Sequence, residues 1–313
     1  MMYDLAIIGG GPAGVAAGVY ASRKRLKTVL ITKDFGGQSI DSLGIENWIG
    51  TVNIPGAQLA KDLEMHLRAY ATDAKTGKVI VDIKTGELCQ LITKTAAGFS
   101  ITTNKGSYEA RTVLMTAGSH RRKLAIPGAD TFEHKGLTYC ASCDGPLFTG
   151  QDVVVVGGGN AGFESAAQLL AYCKTVTLLN RSANLRADPS TIASVTAAPN
   201  MKVVLNAVPK EIKGDKFVNA IVYTVDGKDM ELPVAGIFVE IGALPTTEFA
   251  KGLVTLDDYD RVIVDPRTQR TSVDGIWAAG DCTDGLYHQN NIAAGDSVKA
   301  LEDIYIWIKK NTK

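Results

Sequence analysis

Near the N-terminus the chain reads Leu5-Ala6-Ile7-Ile8-Gly9-Gly10-Gly11-Pro12-Ala13-Gly14. The continuous apolar run Leu5–Ile8 is the pattern of a strand buried on both faces of a parallel sheet. Val15-Ala16-Ala17-Gly18-Val19-Tyr20-Ala21 follows, and its small residues let a helix lie close to that sheet. Thr28-Val29-Leu30-Ile31 then supplies the next strand. Gly9, Gly11 and Gly14 satisfy G-x-G-x-x-G between strand and helix. In that pattern the glycines permit the tight turn, close backbone approach to a pyrophosphate and helix–sheet contact, and the helix N-terminus faces the anion.

The same device recurs. Val153-Val154-Val155-Val156 leads into Gly157-Gly158-Gly159-Asn160-Ala161-Gly162, a helix through Ala171, and the strand Val176-Thr177-Leu178-Leu179. Gly9 and Gly157 are 148 positions apart, and so are Thr32 and Asn180, the residues that end the second strand of each unit. A register kept across a whole unit marks an internal repeat.

Later runs match too. In the first half Val79–Ile83, Phe99–Thr103 and Thr112–Met115 end at Ala117-Gly118; in the second, Lys202–Leu205, Ala220–Tyr223 and Gly236–Val239 end at Ile241-Gly242. Each half therefore reads as a nucleotide-binding βαβ unit with a small antiparallel meander, an α/β fold of two Rossmann-like domains. The first half carries an extra stretch, residues 36–70, ending in a helical segment. After Pro245 no third unit forms. The chain passes Val262-Ile263-Val264 and Gly275-Ile276-Trp277-Ala278-Ala279-Gly280-Asp281 to an amphipathic helix around Ile292–Ile308. A buried strand ending in Gly-Asp is best placed as the completion of the first sheet. The second domain, 118–245, is then an insertion between 1–117 and 246–313, joined at Gly118-Ser119 and Ala243-Leu244-Pro245, where Gly and Pro suit short linkers.

Composition bounds the function. At about 150 residues per domain, 313 residues agree with two domains. Lys+Arg and Asp+Glu both number 33, which argues against holding nucleic acid or an anionic membrane by bulk attraction. No apolar stretch approaches the roughly 20 residues of a membrane span, and no leader-like segment precedes the first strand. Five cysteines are too few for a disulfide scaffold, so a cytoplasmic location is the default.

Two dinucleotide turns in one chain suggest electron passage between two nucleotides, flavin and nicotinamide being the obvious pair. The protein's own redox group is Cys140-Ala141-Ser142-Cys143-Asp144. Half of a zinc site is one reading, but two further ligands are needed. Cys89, Cys173 and Cys282 stand alone, and His66, His120, His134 and His288 show no paired spacing, so no metal is expected. Two incidental thiols are a second reading. The third is a small reducible disulfide ring whose thiol pKa a nearby helix start lowers, with Asp144 able to supply or remove the proton.

Together Gly9–Gly14, Gly36-Gly37-Gln38, Glu46-Asn47-Trp48-Ile49-Gly50, Cys140–Asp144, Gly157–Gly162 and Ala278-Ala279-Gly280-Asp281 resemble low-molecular-weight thioredoxin reductase, over essentially the whole chain and in order. The flavoprotein subunit of alkyl hydroperoxide reductase is similar, particularly at Cys143-Asp144-Gly145-Pro146-Leu147-Phe148, but carries an extra N-terminal thioredoxin-fold region that is not expected here, since the sequence opens directly on the first strand. The resemblance implies an FAD domain at 1–117 and 246–313. FAD would lie on Gly9, Gly11, Pro12, Ala13 and Gly14, with Thr32, Gly37, Gln38 and Asn47 near its adenosine and ring portions. Asp281 would hold the ribityl-pyrophosphate region, with His288, Gln289 and Asn290 near the ring. It implies an NAD(P)H domain at 118–245 that binds through Gly157, Gly159, Asn160, Ala161 and Gly162 and carries the Cys140–Cys143 disulfide. Cys143 would face the flavin, Cys140 would attack a partner's disulfide, and Asp144 would be the acid–base group. The partner implied is thioredoxin or a similar small disulfide protein, and the enzyme a homodimer. Val298, Leu301, Tyr305 and Ile308, at helical spacing, serve either that dimer or the chain's own core.

Departures from the family pattern matter for the electron donor. Asn180-Arg181-Ser182-Ala183-Asn184-Leu185-Arg186 stands where NADPH-specific members read His-Arg-Arg-x-x-x-Arg. Arg181 and Arg186 remain without a carboxylate, which favours a 2′-phosphate and hence NADPH; NADH stays open. Thr116-Ala117-Gly118 replaces Ala-Thr-Gly, and His288 replaces a common Arg. The alternatives are an NADH-dependent reductase of a peroxiredoxin system, a ferredoxin-dependent thioredoxin reductase, and a nucleotide-binding sensor whose CxxC holds zinc.

Overall fold

The computed structural model describes residues 1–42 and 44–311; the last two residues of the expected 246–313 segment lie outside the described residues. The chain divides into two compact units. One comprises Met1–Asp41, Ile45–His120 and the chain from Leu244 onward, and Arg121–Ala243 form the body of the other.

In the first unit Met2–Ile8 is the strand before the glycine turn, Pro12–Arg23 the helix after it, and Thr28–Thr32 the next strand. Proline at the helix start costs nothing, because that N–H has no intrahelical partner anyway. The strand order is Val81–Thr85, Thr28–Thr32, Met2–Ile8, Ser107–Met115, Gly98–Thr103, Cys89–Thr95. The first three pairings are parallel and the last two antiparallel. Ile276–Ala278 joins in parallel beside Ser107–Met115, pairing Ile276 with Val113. The strand expected to complete the first sheet thus does so, after the whole second unit has intervened in sequence. The helical end of the extra stretch is Gly56–Ala71. On the terminal helix, Asn290–Asn311, Leu301, Ile304 and Ile308 are buried with the core of their own unit, while Val298 and Tyr305 are half-buried.

The second unit repeats the parallel core. Its order is Met201–Val204, Thr175–Leu179, Asp152–Val156, Gly236–Val239, Leu137–Thr138, all parallel. The helix Asn160–Leu169 connects the first crossover. A separate antiparallel sheet contains Val208–Gly214, Val218–Val225 and Lys228–Pro233.

The runs that suggested meanders divide differently from their reading. Val81–Thr85 and Met201–Val204 are parallel edge strands. Ser107–Met115 and Gly236–Val239 are central strands beside the glycine-turn strand. The antiparallel parts recruit Cys89–Thr95, Val208–Gly214 and Lys228–Pro233. These half-exposed strands mix charged and apolar residues and carry no continuous apolar run.

Candidate active site

Both glycine turns are built from the same backbone bonds. Gly9 N–H donates to Ile31 O at 2.8 Å and Thr116 N–H to Ile8 O at 2.8 Å; Gly157 N–H donates to Leu179 O at 3.0 Å and Glu240 N–H to Val156 O at 2.8 Å. The first glycine has φ +120° at Gly9 and +130° at Gly157, a region closed to most side chains. A Cβ on Gly9 would meet Thr116 O at 2.3 Å, and one on Gly157 would meet Glu240 O at 2.1 Å. The third glycines are equally confined: a Cβ on Gly14 or Gly162 would lie 1.9 Å from the carbonyl of Gly9 or Gly157. Only the middle glycines are free of their surroundings. A Cβ on Gly11 would come no nearer than 3.9 Å to Gly37, and one on Gly159 would meet nothing within 4 Å.

Protein packing therefore accounts for the outer glycines and leaves the middle ones open toward whatever occupies the turn. Gly11 and Gly159 are also the N-caps of their helices, without side-chain caps and without an acidic residue in the first turn. An uncapped helix start that a backbone can approach closely is suited to a pyrophosphate. Each turn fits a dinucleotide on these grounds.

In the first unit the turn opens on a cleft. Gly9, Gly11, Pro12, Ala13, Thr32, Gly37, Gln38, Asp281 and Asn290 line it; Thr116 and Ser119, read from sequence only as a motif departure and a domain crossing, do so as well, and so does Leu88, which the sequence did not single out. Gln38 Nε2 donates to Ser119 Oγ at 3.1 Å, and Ser39 Oγ to Asn290 Oδ1 at 2.8 Å. Asn47 and Gln289 pair with each other at 3.1 Å, and the Asn47 carbonyl accepts from Asn291 at 2.7 Å. His288 Nε2 is buried and has no hydrogen-bond partner among the described residues, the condition of an atom awaiting a ligand or water.

At the ends of the second strands, Thr32 and Asn180 do the same mechanical job. A Cβ on Gly10 would reach 2.6 Å from Thr32 Oγ1, and one on Gly158 would reach 2.5 Å from Asn180 Oδ1. Asn180 Nδ2 also donates to the carbonyls of Ser182 (2.8 Å) and Asn184 (3.0 Å), which shapes the loop carrying Arg181 and Arg186. Arg186 N–H is tied to Gly158 O at 2.9 Å, and Asn160 Oδ1 accepts from Asp188 N–H at 2.8 Å. The loop is thus stitched to the turn, with both arginine side chains exposed and outside any ion pair among the described residues.

Leu137–Thr138 runs parallel to Gly236–Val239, so the segment after it emerges at the same end of the sheet as the Gly157 turn. There Cys140 and Cys143 are joined in a disulfide. Cys140 caps the short helix Ala141–Asp144, its Sγ accepting from Cys143 N–H at 3.2 Å. Ser142 Oγ donates to Gln168 Oε1 at 2.7 Å, fixing the ring to the crossover helix. The buried Thr138 hydroxyl donates to Asp144 Oδ2. Burial pushes the Asp144 carboxyl above its ordinary value, against the opposing pull of the Thr138 hydrogen bond and of His134. The other thiols are poor nucleophiles. Burial raises Cys89 to about 12 and Cys173 and Cys282 to about 11, which holds all three neutral at physiological pH.

Two dinucleotide turns and a two-residue-spaced disulfide in one chain define a nucleotide-coupled disulfide oxidoreductase. The chain belongs to the pyridine nucleotide-disulphide oxidoreductase family, whose model matches residues 3–297 and whose members use FAD and NAD(P)H. Thioredoxin reductase from Streptococcus pyogenes superposes with a TM-score of 0.87 at 32% identity, covering 99% of both chains. The F subunit of alkyl hydroperoxide reductase in Pseudomonas aeruginosa is 39% identical over 307 residues, 95% of this chain and 57% of its own length. An NADH dehydrogenase of Bacillus subtilis is 37% identical over 312 residues, 99% of this chain and 59% of its own length. The chain therefore spans under two thirds of these two relatives. Among the described residues no helix is long and apolar enough to cross a membrane.

Proposed function

We propose that the protein is an FAD-dependent reductase that passes electrons from NADPH to the Cys140–Cys143 disulfide and on to a small protein disulfide such as that of thioredoxin. The observation that carries this reading is the disulfide itself, at the carboxyl end of the sheet that bears the second glycine turn and one residue from a carboxyl with a raised pKa. FAD, when bound, supplies the two-electron relay between a nicotinamide and the sulfur pair. The Gly9–Gly14 turn with Thr32, Gly37, Gln38, Asp281 and Asn290 would hold it, Asn47, His288 and Gln289 lying toward the ring. The Gly157–Gly162 turn would hold the nicotinamide dinucleotide.

Two electrons and two protons open the disulfide to a dithiol. Cys140, whose sulfur already receives the Cys143 N–H, is the better stabilised thiolate and attacks the partner's disulfide; Cys143 then resolves the mixed disulfide and the partner leaves as a dithiol. Asp144, held by Thr138, moves the proton between sulfur and solvent. Arg181 and Arg186 favour the 2′-phosphate of NADPH. A homodimer belongs to this reading through the family likeness, since the apolar stripe of the terminal helix packs within its own unit. A second reading, electron delivery to a peroxide-reducing partner, is favoured by the likeness to the F subunit of alkyl hydroperoxide reductase.

Cys140→Ser and Cys143→Ser test the core of the proposal. Each should abolish reduction of a protein disulfide while NADPH still bleaches the bound flavin in an anaerobic cuvette. Protein-disulfide turnover surviving in either variant overturns the sulfur roles.

A further inference from the structure

One buried titratable group has no part in this chemistry: Glu240. It follows the strand Gly236–Val239, next to Asp152–Val156, where the direction of strand order reverses. In open α/β sheets the crevice outside those carboxyl ends is where dinucleotides lie. Its backbone belongs to the glycine turn through the bond to Val156 and the close approach of its carbonyl to Gly157. The side chain is 5% exposed. Oε1 accepts from Ser165 Oγ at 2.6 Å, and Ser165 stands on the helix that begins at the turn. The cation facing it, Arg121, lies 3.5 Å from Oε2 and is 36% exposed, beyond a good hydrogen bond. Glu164, on the same helix as Ser165, adds like charge.

An ionised Glu240 is thus supported by one hydroxyl and one loosely placed guanidinium. A pyrophosphate on the adjoining turn adds negative charge to a crevice from which it displaces water, and a buried carboxyl answers such a change by taking up a proton. The neutral acid can keep the Ser165 hydrogen bond, so the turn and helix need not move. Burial already raises this carboxyl above its ordinary value. The first unit has Thr116 at the equivalent place, a hydroxyl that donates to Ile8 O at 2.9 Å and carries no charge.

We propose that Glu240 is a proton-linked positioning residue for the nicotinamide dinucleotide: binding at the Gly157–Gly162 turn is accompanied by uptake of a proton from solvent at Glu240, and affinity declines as pH rises. This rests on the reading of the second turn as the dinucleotide site. The test is calorimetric titration of the FAD-loaded enzyme with NAD+, which lacks the titrating 2′-phosphate, in buffers of different ionisation enthalpy. The range runs from about pH 5.5 to about 8, above the ordinary carboxylate range.

Wild type should take up a proton, approaching about one per dinucleotide, with Kd rising toward about tenfold per pH unit between the free and bound pKa values. Glu240→Gln, which preserves volume and an acceptor for Ser165, should bind with no uptake and a flat pH profile. Ser165→Ala, which removes the hydroxyl supporting the charged form, should move the wild-type window to higher pH. Wild-type binding without proton uptake, or an unchanged slope in Glu240→Gln, overturns the proposal. Absence of binding by NAD+ and NADP+ at every pH overturns instead the assignment of the second turn.

Discussion

The two glycine turns share a backbone almost bond for bond, yet differ at the residue whose carbonyl walls the first glycine: Thr116 in one unit, Glu240 in the other. They differ again at the strand end, Thr32 against Asn180. Thr32 Oγ1 donates to Asp34 O at 2.5 Å, a local closure. Asn180 instead reaches three acceptors across the loop that carries the arginines. Identical turns therefore impose the same demand for small residues, while the residues around them decide which charge pattern each presents. On the proposed reading, specificity would lie in the replaceable wall and phosphate binding in the shared backbone.

The largest expected effect breaks the shared part. Gly9→Ala and Gly157→Ala each force a Cβ to 2.3 Å and 2.1 Å of a carbonyl oxygen at positive φ. Each should destabilise its own unit by about 2–4 kcal/mol, read as a lowered melting transition. Gly159→Ala should leave melting within about 1 kcal/mol of wild type, because its Cβ meets open space. The same variant should weaken NADP+ binding by about tenfold or more, the equivalent of about 1.4 kcal/mol. If Gly159→Ala instead melts like Gly157→Ala with affinity intact, the middle glycine serves packing and the distinction between inner and outer glycines is lost.

A smaller effect sharpens the difference between the strand ends. Arg181→Glu places a carboxylate in the loop that Asn180 shapes. The Michaelis constant for NADPH should rise about tenfold to a hundredfold, the equivalent of about 1.5–3 kcal/mol for a lost charge-assisted hydrogen bond. That for NADH should change little. Equal effects on both donors, in steady-state assays run side by side, would remove the phosphate from the role of Arg181.

How far the sequence reaches depends on what kind of signal a residue leaves. Leu5–Ile8 and Val153–Val156 announce buried strands because both faces are covered, and the glycines between strand and helix are required by contacts that only a missing Cβ permits. Ile276–Ala278 was placeable because a buried run ending in Gly280-Asp281 has few other uses. Cys89–Thr95 and Lys228–Pro233 were not legible, since half-exposed antiparallel strands of mixed composition look like loops. Glu240 left no local mark either. Its importance comes from a partner 75 residues away and from a sheet order that exists only after folding. Thr138 is similar: its contact with Asp144 depends on the turn after a two-residue strand.

That contact supports the smallest expected effect. Thr138→Val removes the hydroxyl that donates to Asp144 and leaves the shape nearly unchanged. The hydrogen bond lowers a carboxyl that burial raises, so its loss should raise the pKa further. The bond is stronger to the ionised carboxylate than to the neutral acid, which is why it lowers the pKa. The limb of the pH profile for thiol–disulfide exchange that reports Asp144 should therefore move to higher pH. Thr138→Ser should restore it. The stability effect has a definite sign. A carboxyl whose folded pKa lies above its unfolded value contributes fully below the unfolded pKa, and that contribution is lost as pH rises through the folded pKa. Thr138→Val should accordingly lose stability relative to wild type as pH rises through the wild-type Asp144 pKa toward neutrality, and show a smaller deficit in acid where Asp144 is protonated in both. A uniform deficit at all pH values would make Thr138 a packing residue only, and would leave Asp144 to be tuned by burial and His134 alone.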